Sequence, residues 1–307
     1  MKIYIRYPLK KEYIEKILSS GTNVEITENI EEAEIFFGWG LSKDEFKKAK
    51  NLKWIQLTSA GVDHMLYDDI ISSEIILTSA SGVHPKPIAE HVFGLILSWT
   101  RRINVAIKGK IEKRWNKDEI EWCDELTVKT MGIIGYGNIG QEIGRIAKCF
   151  DMKVIGLKKK KENVKIQPDE LLTFQDLDKL LKDSDIIVTV LPHTKETENF
   201  ISEEEFNKMK HNVIFVNVGR GRTVDEKALI KALKEGKIQC ALLDVFYDEP
   251  LPDDSPLWDM ENVIITPHIA GMTPYYDERV VEIFLKNLKE YPNFERMINV
   301  VDKEAGY

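Results

Sequence analysis

The sequence predicts an α/β protein of two units, each a parallel β-sheet covered by helices. Three observations predict it. The chain has 307 residues, and at about 150 residues per domain that gives two domains and room for a large core. Short apolar runs alternate with amphipathic stretches twice along the chain, the βα pattern of parallel sheets. Between the two alternations, residues 88–99 are apolar around almost the whole helical circumference, as a helix wedged between packed units would be.

In the first unit, KIYIRY (2–7), NVEI (23–26), EIFFGW (34–39), LKWIQL (52–57) and EIILTSA (74–80) read as strands. The stretch 9–20 places Tyr13, Ile14, Ile17 and Leu18 at helical spacing. Ser42 followed by Glu45 is a capping box that opens a helix over 42–50. Pro85 and Pro87 precede the apolar stretch 88–109, and residues 110–128, with Trp115 and Trp122, read as a flap or a contact arm. The second alternation predicts strands at 131–135, 152–157, 186–190, 213–218, 239–245 and 263–266. Helices are expected near 139–149, 176–182, 202–210 and 225–235. Six strands with intervening helices fit a doubly wound dinucleotide-binding fold. A last helix, 275–290, lies beyond the final strand and is expected to return to the first unit.

Composition excludes several classes. The 43 Lys and Arg against 51 Asp and Glu leave a net charge of −8, whereas a nucleic-acid binder is usually basic. The apolar run Val92–Leu97 is too short to span a bilayer. The start, MKIYIRYPLKK, offers no signal-peptide core, so a cytoplasmic location is expected. The three cysteines, Cys123, Cys149 and Cys240, are odd in number and widely spaced. They imply reduced thiols, no disulfide framework and no metal site.

The first chemical motif is Gly135-Tyr136-Gly137-Asn138-Ile139-Gly140, a GxGxxG between the strand MGII and the helix GQEIGRIAKCF. Gly135 permits the tight turn, Gly137 admits a pyrophosphate to the backbone, and Gly140 lets helix and strand pack closely. The helix N-terminus then offers unpaired N–H groups to the phosphates. An acidic residue is expected at the end of the next strand to hold the ribose hydroxyls. That strand instead ends in Lys158, Lys159, Lys160 and Lys161. A lysine attracts a 2′-phosphate where a carboxylate repels it, so NADP(H) is favoured over NAD(H), with Lys158 and Lys159 as the contacts.

Three charged residues stand at later strand ends: Arg220 in NVGRG, Glu249 in DEP and His268 in TPHIAG. Ligands of open α/β sheets bind at such ends. Hydride transfer to a 2-keto acid needs these types. A guanidinium clamps the carboxylate, an imidazolium protonates the developing alkoxide, and a carboxylate keeps the ring charged and oriented. Spacing alone favours the bland readings: a solvated Arg, a turn Glu and a structural His.

The stretch 131–271 resembles the D-isomer-specific 2-hydroxyacid dehydrogenase family. GYGNIG is similar to its cofactor turn, VLPHTKETENFI (190–201) to its Leu-Pro-x-Thr segment, and residues 212–271 to its long signature. Upstream, LTSAGVDHM (57–65) and SGVHPKPIAEHVFGLIL (81–97) resemble its substrate loop and interdomain helix. The resemblance implies a flavodoxin-like substrate-binding domain, 1–97 plus 282–307, a Rossmann-like NAD(P)-binding domain, 98–281, and an active site in the interdomain cleft. It implies Arg220 as carboxylate binder, Glu249 as partner of the histidine and His268 as acid/base. Asp244 would face the nicotinamide carboxamide, and Leu191, Pro192, Thr197, Val218, Gly219, His268 and Gly271 would lie along the cofactor. Backbone N–H groups of Ala60, Gly61 and Val62 would bind the substrate carboxylate together with Arg220 and His268. Tyr7, Trp39 and Leu41 would line the pocket, and His91 would be structural. The resemblance also implies a homodimer joined through the cofactor domains, with the 100–130 arm as the contact. The implied activity is hydride transfer between NADP(H), or NAD(H), and a small D-2-hydroxy or 2-keto acid, in the manner of glyoxylate/hydroxypyruvate reductases. The alternatives are a 3-phosphoglycerate dehydrogenase and, last, a non-catalytic NAD(P)-sensing scaffold. The departure from the family pattern is the lysine run, where most members carry an Asp.

Overall fold

Residues Met1–His84 with Met272–Tyr307 form one unit and Pro85–Gly271 the other in this computed structural model, which describes residues 1–21, 23–120, 122–162 and 164–306. In the first unit, β1 (Lys2–Arg6), β2 (Glu25–Thr27), β3 (Ile35–Gly38), β4 (Trp54–Leu57) and β5 (Ile76–Thr78) pair in parallel in the order β2-β1-β3-β4-β5. The first-unit helices are α1 (Lys11–Leu18), α2 (Lys43–Lys48), α3 (Asp68–Ile71) and a C-terminal helix, Tyr276–Glu290. Alternation along β3 separates two cores, because successive side chains point to opposite faces. Ile35 and Phe37 join Ile3, Trp54, Val280, Phe284 and Leu288, whereas Phe36 joins Leu41, Ile55, Val62, Met65 and Leu77. The C-terminal helix thus supplies the cover of one sheet face.

The second unit is a wholly parallel seven-stranded sheet in the order β12-β11-β10-β9-β6-β7-β8. Its strands are β6 (Thr130–Ile134), β7 (Lys153–Leu157), β8 (Glu170–Leu172), β9 (Ile186–Thr189), β10 (Val213–Asn217), β11 (Ile238–Leu243) and β12 (Val263–Ile265). The helices are α4 (Pro85–Thr100), α5 (Ile103–Ile111), α6 (Asn138–Cys149), α7 (Leu177–Asp183), α8 (Glu203–Lys208) and α9 (Glu226–Lys234). The direction of winding reverses between β6 and β9, which makes the ends of those strands the ligand-binding crevice of such a sheet. Both sheets are of the α/β class that the alternation predicts.

Three details differ from expectation. A seventh strand, β8, pairs with β7 at the sheet edge. Its three residues are too few to show a period. The apolar stretch 88–109 is two helices, because Arg102 takes a left-handed φ of 56° and ends the first. The unit boundaries fall at 84/85 and 271/272 rather than at 97/98 and 281/282. The reason is packing: Ile88, Val92, Phe93 and Ile96 of α4 share one core with Met131, Ile133 and Ile143, while the C-terminal helix is a single element of the first unit. Among the described residues no helix is long and apolar enough to cross a membrane.

Candidate functional site

The glycine turn is built as its chemistry requires. Gly135 has a φ of +101°, where a side chain is strained, and a Cβ there would sit 2.9 Å from the Val190 carbonyl oxygen. A Cβ on Gly140 would lie 2.4 Å from the Gly135 oxygen, so the helix can approach the strand only without one. At Gly137 the same atom would meet nothing within 4 Å, which leaves the space above the turn open. No side chain caps α6 at Gly137, so its first N–H groups and positive dipole end face that space. This donor set fits the pyrophosphate of a dinucleotide. Asn138 is exposed and Ile139 half-buried at the turn.

Tyr136 has a different place from that expected of a cofactor contact. Its side chain is fully buried, and its N–H donates to the Leu157 carbonyl at 2.8 Å. The ring fills the gap left by two glycines: a Cβ on Gly144 would lie 2.5 Å from its hydroxyl, and one on Gly156 2.6 Å from its ring. Tyr136 therefore clamps α6 onto β7. Burial first, then Asp169, pushes its phenol up to about 12.

Lys158 follows β7 directly, with its N–H on the Leu172 carbonyl at 3.0 Å and its Nζ on the Glu162 carbonyl at 2.7 Å. Lys159 pairs with Glu196, Nζ to Oε2 at 2.5 Å. Gln141, buried on α6, accepts the N–H groups of Lys165 and Ile166 at 2.7 and 3.0 Å and fixes the far end of the lysine loop. In the loop after β9, Leu191 is buried and Pro192 exposed. The Thr197 hydroxyl donates to the Pro192 carbonyl at 2.6 Å and accepts the Thr194 N–H at 2.8 Å. Thr197 is thus a brace of that loop.

Arg220 stands in the turn after β10. The Asn217 side chain accepts the Gly219 N–H at 3.1 Å and donates to the Arg220 carbonyl at 3.3 Å, while the Thr223 hydroxyl donates to the same carbonyl at 2.7 Å. Val218 and Gly219 are buried beneath it, and a Cβ on Gly219 would lie 2.6 Å from the Leu191 oxygen. Beyond the ends of β11 and β12, His268 Nδ1 donates to Glu249 Oε2 at 2.6 Å, and Glu249 Oε1 accepts the Phe246 N–H at 3.0 Å. The structure brings Glu249 and His268 together as a hydrogen-bonded pair, with the His268 side chain 49% exposed. With Nδ1 engaged, Nε2 is the nitrogen left for proton transfer.

Asp244 has a carboxylate already committed within the protein. It is buried at the end of β11. Its Oδ1 accepts the Thr266 hydroxyl at 2.6 Å and the Ile269 N–H at 3.0 Å, its Oδ2 accepts the Ala270 N–H at 2.9 Å, and its carbonyl accepts the His268 N–H at 2.9 Å. His91 on α4 reaches the same knot, Nε2 to Thr266 Oγ1 at 3.0 Å. Since Thr266 gives its hydroxyl proton to Asp244, His91 donates from Nε2. Burial holds the His91 ring below the usual histidine range, against the pull of Asp244. The loop through Gly271 is thereby shaped from below. Sequence reading missed Asn217, Thr266 and Glu196, and gave His91 no connection to His268. Asn three residues before Arg220 and Thr two residues before His268 were the available signal.

In the first unit, the turn Ser59–Val62 follows β4. The Ser59 hydroxyl donates to the Gly61 carbonyl at 2.8 Å, and the Tyr276 hydroxyl donates to the Thr58 carbonyl at 2.5 Å. Among the described residues, the N–H groups of Ala60, Gly61 and Val62 donate to no protein acceptor. Trp39 is 59% exposed and stacks on His64 at 5.1 Å. Leu41 is 5% exposed and packs within the sheet core. The Tyr7 hydroxyl donates to Asp277 at 2.9 Å.

The family described as "D-isomer specific 2-hydroxyacid dehydrogenase, NAD binding domain" matches residues 93–270. A glyoxylate reductase of Thermofilum pendens is 39% identical over 263 residues, 84% of this chain and 77% of that protein. A D-3-phosphoglycerate dehydrogenase of Methanocaldococcus jannaschii is 34% identical over 315 residues, 98% of this chain and 59% of that longer protein. Among solved structures, a D-isomer specific 2-hydroxyacid dehydrogenase of Xanthobacter autotrophicus in complex with NADPH and MES superposes with a TM-score of 0.85. It is 25% identical, and the match covers 100% of this chain and 99% of that one. The chain belongs to the D-isomer-specific 2-hydroxyacid dehydrogenase family and is an NAD(P)-dependent oxidoreductase of that class.

Proposed function

We propose that this enzyme reduces small 2-keto acids of the glyoxylate and hydroxypyruvate type to D-2-hydroxy acids, with NADPH preferred. The observation that carries the reading is the 2.6 Å pair of His268 and Glu249, at the sheet end that also bears Arg220. In this reading the bound nicotinamide supplies the hydride. Arg220 clamps the substrate carboxylate with its planar fork and polarises the adjoining carbonyl. His268, oriented by Glu249 through its Nδ1, delivers its Nε2 proton to the alkoxide as it forms, and in the reverse direction takes it back. Asp244 serves by holding the loop that presents His268. The turn Ala60-Gly61-Val62, with three unengaged N–H groups, is a second carboxylate anchor.

The NADPH preference is supported by Lys158, which occupies the strand-end position where NAD-selective dinucleotide folds place a carboxylate. A phosphorylated substrate, as the M. jannaschii relative's name implies for that protein, would call for cations beside the 59–62 or 82–87 loops. Lys86 is the one that stands out there. The substrate is therefore read as unphosphorylated. A homodimer is supported by α5, whose Ile103, Ile107 and Ile111 are 47%, 51% and 76% exposed at a spacing of four, followed by Trp115 at 93%.

The test is turnover with glyoxylate, hydroxypyruvate, pyruvate, a phenyl keto acid and 3-phosphohydroxypyruvate, each with NADPH and NADH. Fastest turnover of the two-carbon and three-carbon acids with NADPH is expected. Preference for the phosphorylated acid, or no coenzyme oxidation with any of them, overturns the reading.

A further inference from the structure

We propose that Glu196 is a selectivity-determining residue, which tempers the preference for NADPH by occupying Lys159 in the place of a 2′-phosphate. The inference rests on the reading of the lysine strand end as a 2′-phosphate site. The sheet order β9-β6-β7 puts the end of β6, with its glycine turn, between the loops that follow β7 and β9. Lys159 lies on one flanking loop and Glu196 on the other, and their 2.5 Å ion pair joins the two loops.

Neither partner rests on a loose segment. Lys159 adjoins Lys158, whose N–H is bonded to Leu172 at 3.0 Å. Glu196 adjoins Thr197, which is 5% exposed and bonded to Pro192 and Thr194. The two charged side chains themselves are 50% and 66% exposed. A pair so exposed is weak, so a phosphomonoester, with a charge of about −1.5 to −2 at neutral pH, displaces the carboxylate from the lysine. The displaced Glu196 then stays close to the phosphate and repels it. A coenzyme without the 2′-phosphate leaves the pair intact. Glu196 thus acts against NADPH alone, and it is a carboxylate that the strand-end reading of 158–161 does not contain.

The experiment is calorimetric titration of the full chain with adenosine 2′,5′-bisphosphate and with 5′-AMP, which differ by the 2′-phosphate. Glu196→Gln is expected to tighten the bisphosphate about threefold, or about 0.7 kcal/mol at 1.4 kcal/mol per decade, with 5′-AMP unchanged. Lys159→Ala is expected to weaken the bisphosphate alone. An unchanged bisphosphate affinity in Glu196→Gln overturns the proposal, as does an equal change with both probes, which would make Glu196 a ribose contact or a structural residue. The wild-type ratio of the two affinities tests the coenzyme reading separately. Equal wild-type affinities with a selective gain in Glu196→Gln would sink that reading and leave the role of Glu196 standing.

Discussion

His268 holds a φ of 52°, a left-handed conformation that costs a non-glycine residue about 1–3 kcal/mol. Its N–H on the Asp244 carbonyl and its ring on Glu249 hold it there. On the proposed mechanism, His268→Ala lowers kcat by about 10²–10⁴ with little change in KM, whereas Arg220→Ala also raises KM. Steady-state kinetics with the best keto acid read both, and unchanged kcat in His268→Ala would end the acid/base assignment. Beneath His268, the lowered pKa of His91 makes a second prediction. The neutral ring is favoured in the folded state, so the unfolded chain binds the extra proton below the reference value of about 6.5. The stability tied to His91 is complete above that value and is lost as pH falls from it toward the folded pKa. Melting temperature between pH 5 and 8 is expected to vary less in His91→Gln than in wild type, and parallel curves would refute it. The pairing of Glu249 with His268 was legible because each sits in a motif at a strand end. The knot of His91, Thr266 and Asp244 was not, because its members lie far apart in sequence and meet only when α4 packs beside β11 and β12.

At the scale of elements, the contact of α6 with β7 is made through Tyr136 against two glycines. Gly144 is inside α6, where alanine would ordinarily raise helix propensity by about 1 kcal/mol. Here its Cβ would lie 2.5 Å from the Tyr136 hydroxyl, and the overpacked ring has nowhere to go in a fully buried site. Gly144→Ala is therefore expected to destabilise the fold by about 1–3 kcal/mol net and to weaken 5′-AMP binding, since the glycine turn moves with the helix. Urea denaturation and titration measure the two effects, and a stabilised variant would contradict the clamp. The GxGxxG pattern announced the strand, turn and helix but not this clamp, because the pattern leaves its second position free. The strand β8 and the break after α4 escaped for related reasons. Three residues at an edge carry no period, and the left-handed Arg102 is stacked on Trp122 at 3.8 Å and on Trp99 at 4.9 Å, a contact that the sequence does not advertise.

At the scale of the whole molecule, α5 presents an exposed apolar face. Ile103, Ile107 and Ile111 form one stripe, since residues four apart share a helix face, and all three are exposed. Composition gave no sign of this, because the overall hydrophobic fraction is ordinary and the stripe emerges only once α5 is set apart from α4. A second copy meeting the same stripe about a twofold axis would bury each isoleucine twice. Full burial of one such side chain contributes about 1.5–3 kcal/mol; Ile107 has 51% still to bury, so losing that contact on both subunits costs about 1.5–3 kcal/mol in all. Converted at 1.4 kcal/mol per decade, Ile107→Asp should weaken dimerisation by about 10–10² from lost burial alone. Sedimentation velocity at micromolar concentration is expected to show a dimer for wild type and a monomer for Ile107→Asp. The monomer should keep its affinity for 5′-AMP, because α5 carries none of the groups of the glycine turn. A wild-type monomer, or a dimer that the aspartate leaves intact, would show that α5 is not the contact.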